Sequence, residues 1–272
     1  EQGQYPTIFI TLKDTKKNNW EECFSKIKII LRDLYGEHNY IKDKLSINEK
    51  EEYDKILFKK DDAEYDNALL NLTKYLYNYY QKKVVLLIDE YDSPLITANQ
   101  FGYYKEAINF FRDFLSSALK TNSNLKMGVL TGIVQVAKEG IFSGLNNVKT
   151  YNILGDKFET FFGLSEEEVE NALKYFGMTY EIKEVKRWYD GYKFGNAEVY
   201  NPWSIINYLS DRGLQAYWVN TSDNALIYDN LKNSTVDVFK DLEALFEGKA
   251  IKKEISPFFT FEELSKFDGI WQ

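Results

Sequence analysis

The apolar positions of this chain change period along its length, and each change marks an element. Tyr5 to Leu12 is rich in β-branched and aromatic residues and predicts a strand. From Asn19 to Tyr35 the apolar residues Trp20, Phe24, Ile27, Ile30, Leu31 and Leu34 recur at helical spacing. Glu37 to Asp62 is charged and mixed, which predicts short helices. The helical pattern returns from Ala63 to Lys82 through Ala68, Leu69, Leu72, Leu76 and Tyr79. Then Val84, Val85, Leu86, Leu87 and Ile88 run without a polar break and stop at Asp89 and Glu90. Such a run predicts a strand buried on both faces, as in a parallel sheet covered by helices.

A helix from Tyr103 to Leu119 follows, with Ile108, Phe111, Phe114, Leu115 and Ala118 on one stripe. Leu125 to Thr131 predicts the next strand, ended by Gly132, and Tyr151 to Leu154 a further short one. Strands separated by helices imply crossover connections and a largely parallel sheet flanked by helices, an α/β fold. Beyond Phe161 the character changes. Ser165 and Glu168 form a capping box, and helices are predicted at about 166–176, 181–190 and 202–211. The expected division is therefore an α/β core over 1–160 and a mostly helical region over 161–272.

Composition narrows the chemistry. The 272 residues are 44% hydrophobic and 28% charged, enough for one large domain or two modest ones. No apolar run approaches the roughly 18 residues of a membrane span, and no signal-peptide head is visible at Glu1 to Gln4. The chain does not begin with Met, which fits a fragment of a longer protein. Cys23 is the single cysteine, so no intrachain disulfide forms and a reducing, cytoplasmic location is expected. His38 is the single histidine, which excludes histidine-rich metal sites but not a Ser-His-Asp triad. A net charge of −8 argues against a broadly basic nucleic-acid face, and Lys59-Lys60 and Lys252-Lys253 read as solvated surface. What remains is carboxylates, amines, hydroxyls and Mg²⁺, an inventory suited to phosphoryl transfer.

Asp89 and Glu90 fall at the C-terminal end of their strand, where open α/β sheets place ligands. In nucleotide hydrolases this is the Walker B element. Its first acid holds Mg²⁺, usually through water, and its second orients the water that attacks the γ-phosphate. A core strand emerging into an acidic turn would use the same residues. Thr131 is placed to report on a γ-phosphate if strands 84–88 and 125–131 are neighbours; otherwise it is simply a strand end. Lys138, in the loop beyond, offers a cation to a phosphate or is a solvated loop charge. The phosphate cradle Gly-x-x-x-x-Gly-Lys-Ser/Thr is missing from the sequence. Gly248-Lys249-Ala250 has the Gly-Lys pair but lacks the first glycine, the hydroxyl and a preceding strand.

Several segments in consistent order, Val84 to Leu95, Leu130 to Val148, Trp188 to Leu209 and Tyr217 to Ser222, resemble the AAA-ATPase-like family. Its members often carry a C-terminal restriction-like nuclease domain. The resemblance implies a P-loop NTPase-like core entered after the Walker A helix, a helical lid, and truncation at both ends. It also implies ATP and Mg²⁺ as ligands, Asp89 serving the metal and Glu90 the attacking water. Gln135 stands where members often have Arg. Trp188-Tyr189-Asp190-Gly191-Tyr192 recurs in the family, and a turn at Gly191 packed by the aromatics is its expected structure. A protein partner or a second copy is compatible with this reading, and nucleic acid would be met only through the C-terminal domain. Two functions stay open: an ATPase that switches an attached effector, and a non-hydrolysing module of the same fold that binds partners.

Overall fold

The computed structural model describes residues 3–133, 148–152, 154–155, 157–178, 182–218, 231–232, 234–254 and 271. Three strands, β1 (Thr7–Thr11), β2 (Val84–Asp89) and β3 (Leu125–Leu130), form a parallel sheet in the order β1-β2-β3. The connections are helical: α1 (Trp20–Glu37), α2 (Ile47–Leu57) and α3 (Ala68–Tyr80) lead from β1 to β2. Helices α4 (Ser93–Phe101) and α5 (Tyr104–Leu119) lead from β2 to β3. The element types of this region are those that the periodicity predicts, apart from α4. That helix starts with Pro94 in its first turn, a favourable helix-opening position, and its hydrophobic stripe is weak.

Local chemistry starts the helices. Asn19 accepts the Glu22 amide at 2.9 Å to cap α1, and Ser46 with Glu49 closes a capping box on α2. The core lies on one side of the sheet. Ile8, Ile10 and Leu12 of the first strand segment join Val84, Leu86 and Ile88 of β2 in a cluster with Ile27, Leu31, Leu72, Leu76, Phe111 and Leu115.

The opposite face corrects an expectation. Val85 and Leu87 are part-exposed, Phe9 is 56% exposed and Met127 54% exposed. The strand is thus buried on one face rather than both, because the helices described here pack their apolar stripes against a single side. An unbroken apolar run shows that both faces are apolar. It does not show that both are covered.

The chain divides into two compact units, residues 1–148 with 234–272 and residues 149–233. The expected division lay at 160/161; here the closing residues, including α9 (Val236–Phe246), group with the first unit. The second unit contains α6 (Glu166–Tyr175), α7 (Ile182–Tyr189), a hairpin of β4 (Asp190–Phe194) and β5 (Ala197–Tyr200), and α8 (Pro202–Asp211). All three helices fall where the sequence places them, and the Ser165–Glu168 capping box is formed. The hairpin was not anticipated. Trp188 and Tyr189 close α7, whereas Gly191 lies within β4 beside a register irregularity, so the expected turn is not at Gly191. The turn is instead the two-residue step Gly195-Asn196, where Gly195 takes φ +57°. Of the strand expected over Tyr151 to Leu154, the described residues Tyr151, Asn152 and Leu154 are not in a strand. Asn152 accepts the Leu154 amide through its side chain at 3.1 Å, an Asx-type turn.

Candidate functional site

Register alone brings three oxygen-bearing side chains together at the C-terminal edge of the sheet. Thr11, the last residue of β1, pairs with Asp89, the last residue of β2. Because β2 and β3 are parallel neighbours, Thr131 follows β3 at the same level. The Thr131 hydroxyl donates to Asp89 Oδ1 at 2.6 Å, and the Thr11 hydroxyl donates to Asp89 Oδ2 at 3.2 Å. Backbone bonds lock the arrangement: Leu12 N–H donates to Asp89 O at 2.9 Å, and Thr131 N–H to Ile88 O at 2.9 Å. The carboxylate of Asp89 is therefore aimed by both neighbouring strands and remains part-exposed.

The next residue departs from the strand. Glu90 adopts φ +51°, a left-handed conformation that costs a non-glycine residue about 1 kcal/mol. That kink turns its side chain toward the start of α4, where the Ser93 hydroxyl donates to Glu90 Oε2 at 2.7 Å. Ser93 is 7% exposed and Glu90 part-exposed, so this bond is partly sheltered from water.

Asp92, the third acid of the turn, does something else again. It is 1% exposed, and its Oδ2 accepts the Ile133 amide at 2.9 Å. Three acids within four residues thus turn to three different sets of partners. Consistent with that divergence, no group of three or more His, Cys, Asp or Glu side chains among the described residues is arranged to hold a metal ion.

The donor chemistry of the edge is nonetheless oxygen-bearing and hard. Mg²⁺ is commonly bound by one or two carboxylates together with water and substrate phosphates, and Asp89 flanked by two hydroxyls offers such donors. Of the residues the sequence points to, the fold joins Thr131 to Asp89, while Glu90 turns to Ser93. Thr11 is not singled out by the sequence, its one signal being its place at the tip of the opening strand. Lys138 and Gln135 lie outside the described residues.

A family profile described as a predicted AAA-ATPase, the AAA-ATPase-like family, matches residues 1–142, which include the sheet and its acidic edge. This chain belongs to the AAA-ATPase-like family. It is also similar to the uncharacterized protein in the vnfD 5′ region of Azotobacter chroococcum mcd 1, with 25% identity over 151 residues. That alignment covers 55% of this chain and 29% of the relative, so the chain spans less than a third of the length of the curated protein it matches. No solved structure matches it. The matched residues 1–142 lie within the first unit; residues 234–272 of that unit and the whole second unit lie beyond them.

Proposed function

We propose that the edge formed by Thr11, Asp89, Glu90 and Thr131 is the hydrolytic half of an ATP site in a longer protein, where ATP turnover switches an attached effector. The observation that carries this reading is the convergence of both flanking strand tips on the Asp89 carboxylate, at the end of a parallel sheet where α/β proteins bind ligands. Asp89, with water and the two threonine hydroxyls around it, would hold Mg²⁺. The ion would neutralise charge building on the phosphates. Thr131, 2.6 Å from Asp89, would donate to a γ-phosphate oxygen once a nucleotide is seated. Glu90 would leave its Ser93 partner and accept a proton from the attacking water. Lys138 is proposed to contribute a cation to the phosphates.

The open face of the sheet supports the remainder of the site lying outside these residues. Parallel sheets are normally covered on both sides, and a helix crossing that face would bring its N-terminus to the strand ends that carry Asp89. A preceding phosphate loop would supply the cradle that this sequence lacks. Contact with nucleic acid, on this reading, belongs to a nuclease-like domain beyond residue 272.

In a longer protein carrying the upstream residues, Glu90→Gln should lower ATP turnover about 100-fold or more while binding persists. Equal turnover by the two proteins would overturn the assignment. The 272-residue chain alone should bind ATP weakly or not at all; a micromolar dissociation constant by calorimetry would show that it already holds a cradle. One observation favours a second reading, a non-hydrolysing module that binds a partner: Phe9, Met127 and Val129 form an exposed apolar patch. A longer protein that binds ATP without hydrolysing it, and captures a partner through that patch, would favour this alternative.

A further inference from the structure

The acidic turn contains a buried carboxylate that the proposed chemistry leaves unused. Asp92 stands at the N-cap of α4 yet makes no side-chain capping bond. A carboxylate taken out of water is costly unless hydrogen bonds engage it. Here the engagement crosses to another strand's end, where Oδ2 accepts the Ile133 amide at 2.9 Å. Gly132, between Thr131 and Ile133, leaves the room for this. A Cβ built at Gly132 would lie 2.6 Å from Asp92 Oδ1 and 2.9 Å from the Tyr91 ring, both closer than real Cβ atoms come.

Strand pairing explains why such a contact matters. The regular β2–β3 ladder ends at Ile88↔Leu130, one residue short of Thr131. Past that point the chain is held by Thr131 N–H donating to Ile88 O at 2.9 Å, Tyr91 N–H donating to Thr131 O at 3.1 Å, and the Asp92 bond to Ile133. These ties bracket Thr131 on both sides. We propose that Asp92 and Gly132 form a clasp that extends strand pairing past the end of β3 and so positions the Thr131 hydroxyl on Asp89. Asp92 is then a positioning residue rather than a third ligand for the metal. Its consequence for catalysis rests on the Mg-ATP reading above; the clasp itself does not.

Amide hydrogen exchange on the 272-residue chain tests the clasp without nucleotide. Asp92→Ala should speed exchange at Ile133 by about tenfold, with core amides such as Leu86 unchanged. Asp92→Asn keeps an acceptor oxygen and should restore most of that protection. Gly132→Ala, which leaves the acid in place, should loosen the same amide by crowding Asp92. Unchanged exchange at Ile133 in Asp92→Ala would overturn the proposal, as would an Asn variant no better than the Ala variant. Should Asp92→Ala fail to fold, Gly132→Ala decides: local loosening supports the clasp, and wild-type exchange rejects it. In the longer protein, Asp92→Ala should lower ATP turnover with little change in KM, and Asp92→Asn should recover much of the loss. Absence of turnover in the wild type would remove the ATP reading and leave the exchange result to judge the clasp.

Discussion

Leu86 and Leu87 are adjacent, identical in chemistry and opposite in fate. Leu86 is fully buried among the helices, whereas Leu87 looks out from the open face beside Phe9 and Val129. The two faces of this sheet therefore use similar side chains for different ends. One holds the fold together now. The other is an apolar surface whose last row, Thr11, Asp89 and Thr131, is polar and convergent. Stability and the candidate chemistry thus share three strands but occupy different sides of them.

The sharpest way to break this contrast is to truncate both leucines. Leu86→Ala should cost about 2–5 kcal/mol in urea denaturation, and Leu87→Ala on the order of 1 kcal/mol, because only the first leaves a cavity. Equal costs would mean that both faces are covered in solution.

Alkaline titration probes the buried side by another route. Burial raises the phenols of Tyr35 and Tyr53 and pushes Tyr75 up to about 12, against an ordinary value of 10.0. Because the folded values lie above the unfolded one, the neutral phenols stabilise the fold fully below pH 10. That contribution is lost as pH rises through about 12. Circular dichroism should accordingly show loss of structure beginning above pH 10, and substituting Tyr75 by Phe should delay it. A transition unmoved by that substitution would exclude Tyr75 as a contributor.

The smallest effect belongs to the open face. Val129→Thr should change the stability of this chain by no more than about 0.5 kcal/mol, since its side chain already meets water. A loss several times larger in a protein carrying upstream residues would show that a further segment covers the face.

The pattern of the residues made much of this legible. Apolar runs, β-branched content and helical spacing marked β1 to β3, α1, α3 and α5 but not α4 or α9, and the Ser165–Glu168 box marked the start of α6. The hairpin after Tyr189 was hidden because a glycine followed an aromatic pair, which reads equally as a turn; its actual turn at Gly195-Asn196 depends on pairing between β4 and β5. At the site, the acids were visible as an abrupt end to an apolar run. Thr11 was not, since it lies 78 residues from Asp89 and only β1–β2 register joins them.

The amino-acid order dictated where strands and helices begin, since side-chain periodicity, capping hydroxyls and proline act within a few residues of themselves. It also put three acids in one turn. Only the folded chain decided their partners: Asp89 to the neighbouring strand tips, Glu90 to Ser93 through a left-handed kink, and Asp92 to the Ile133 amide. Those choices follow from which strands lie side by side, in which register, and which face the helices cover. Each is a contact between distant residues, and no local pattern encodes it.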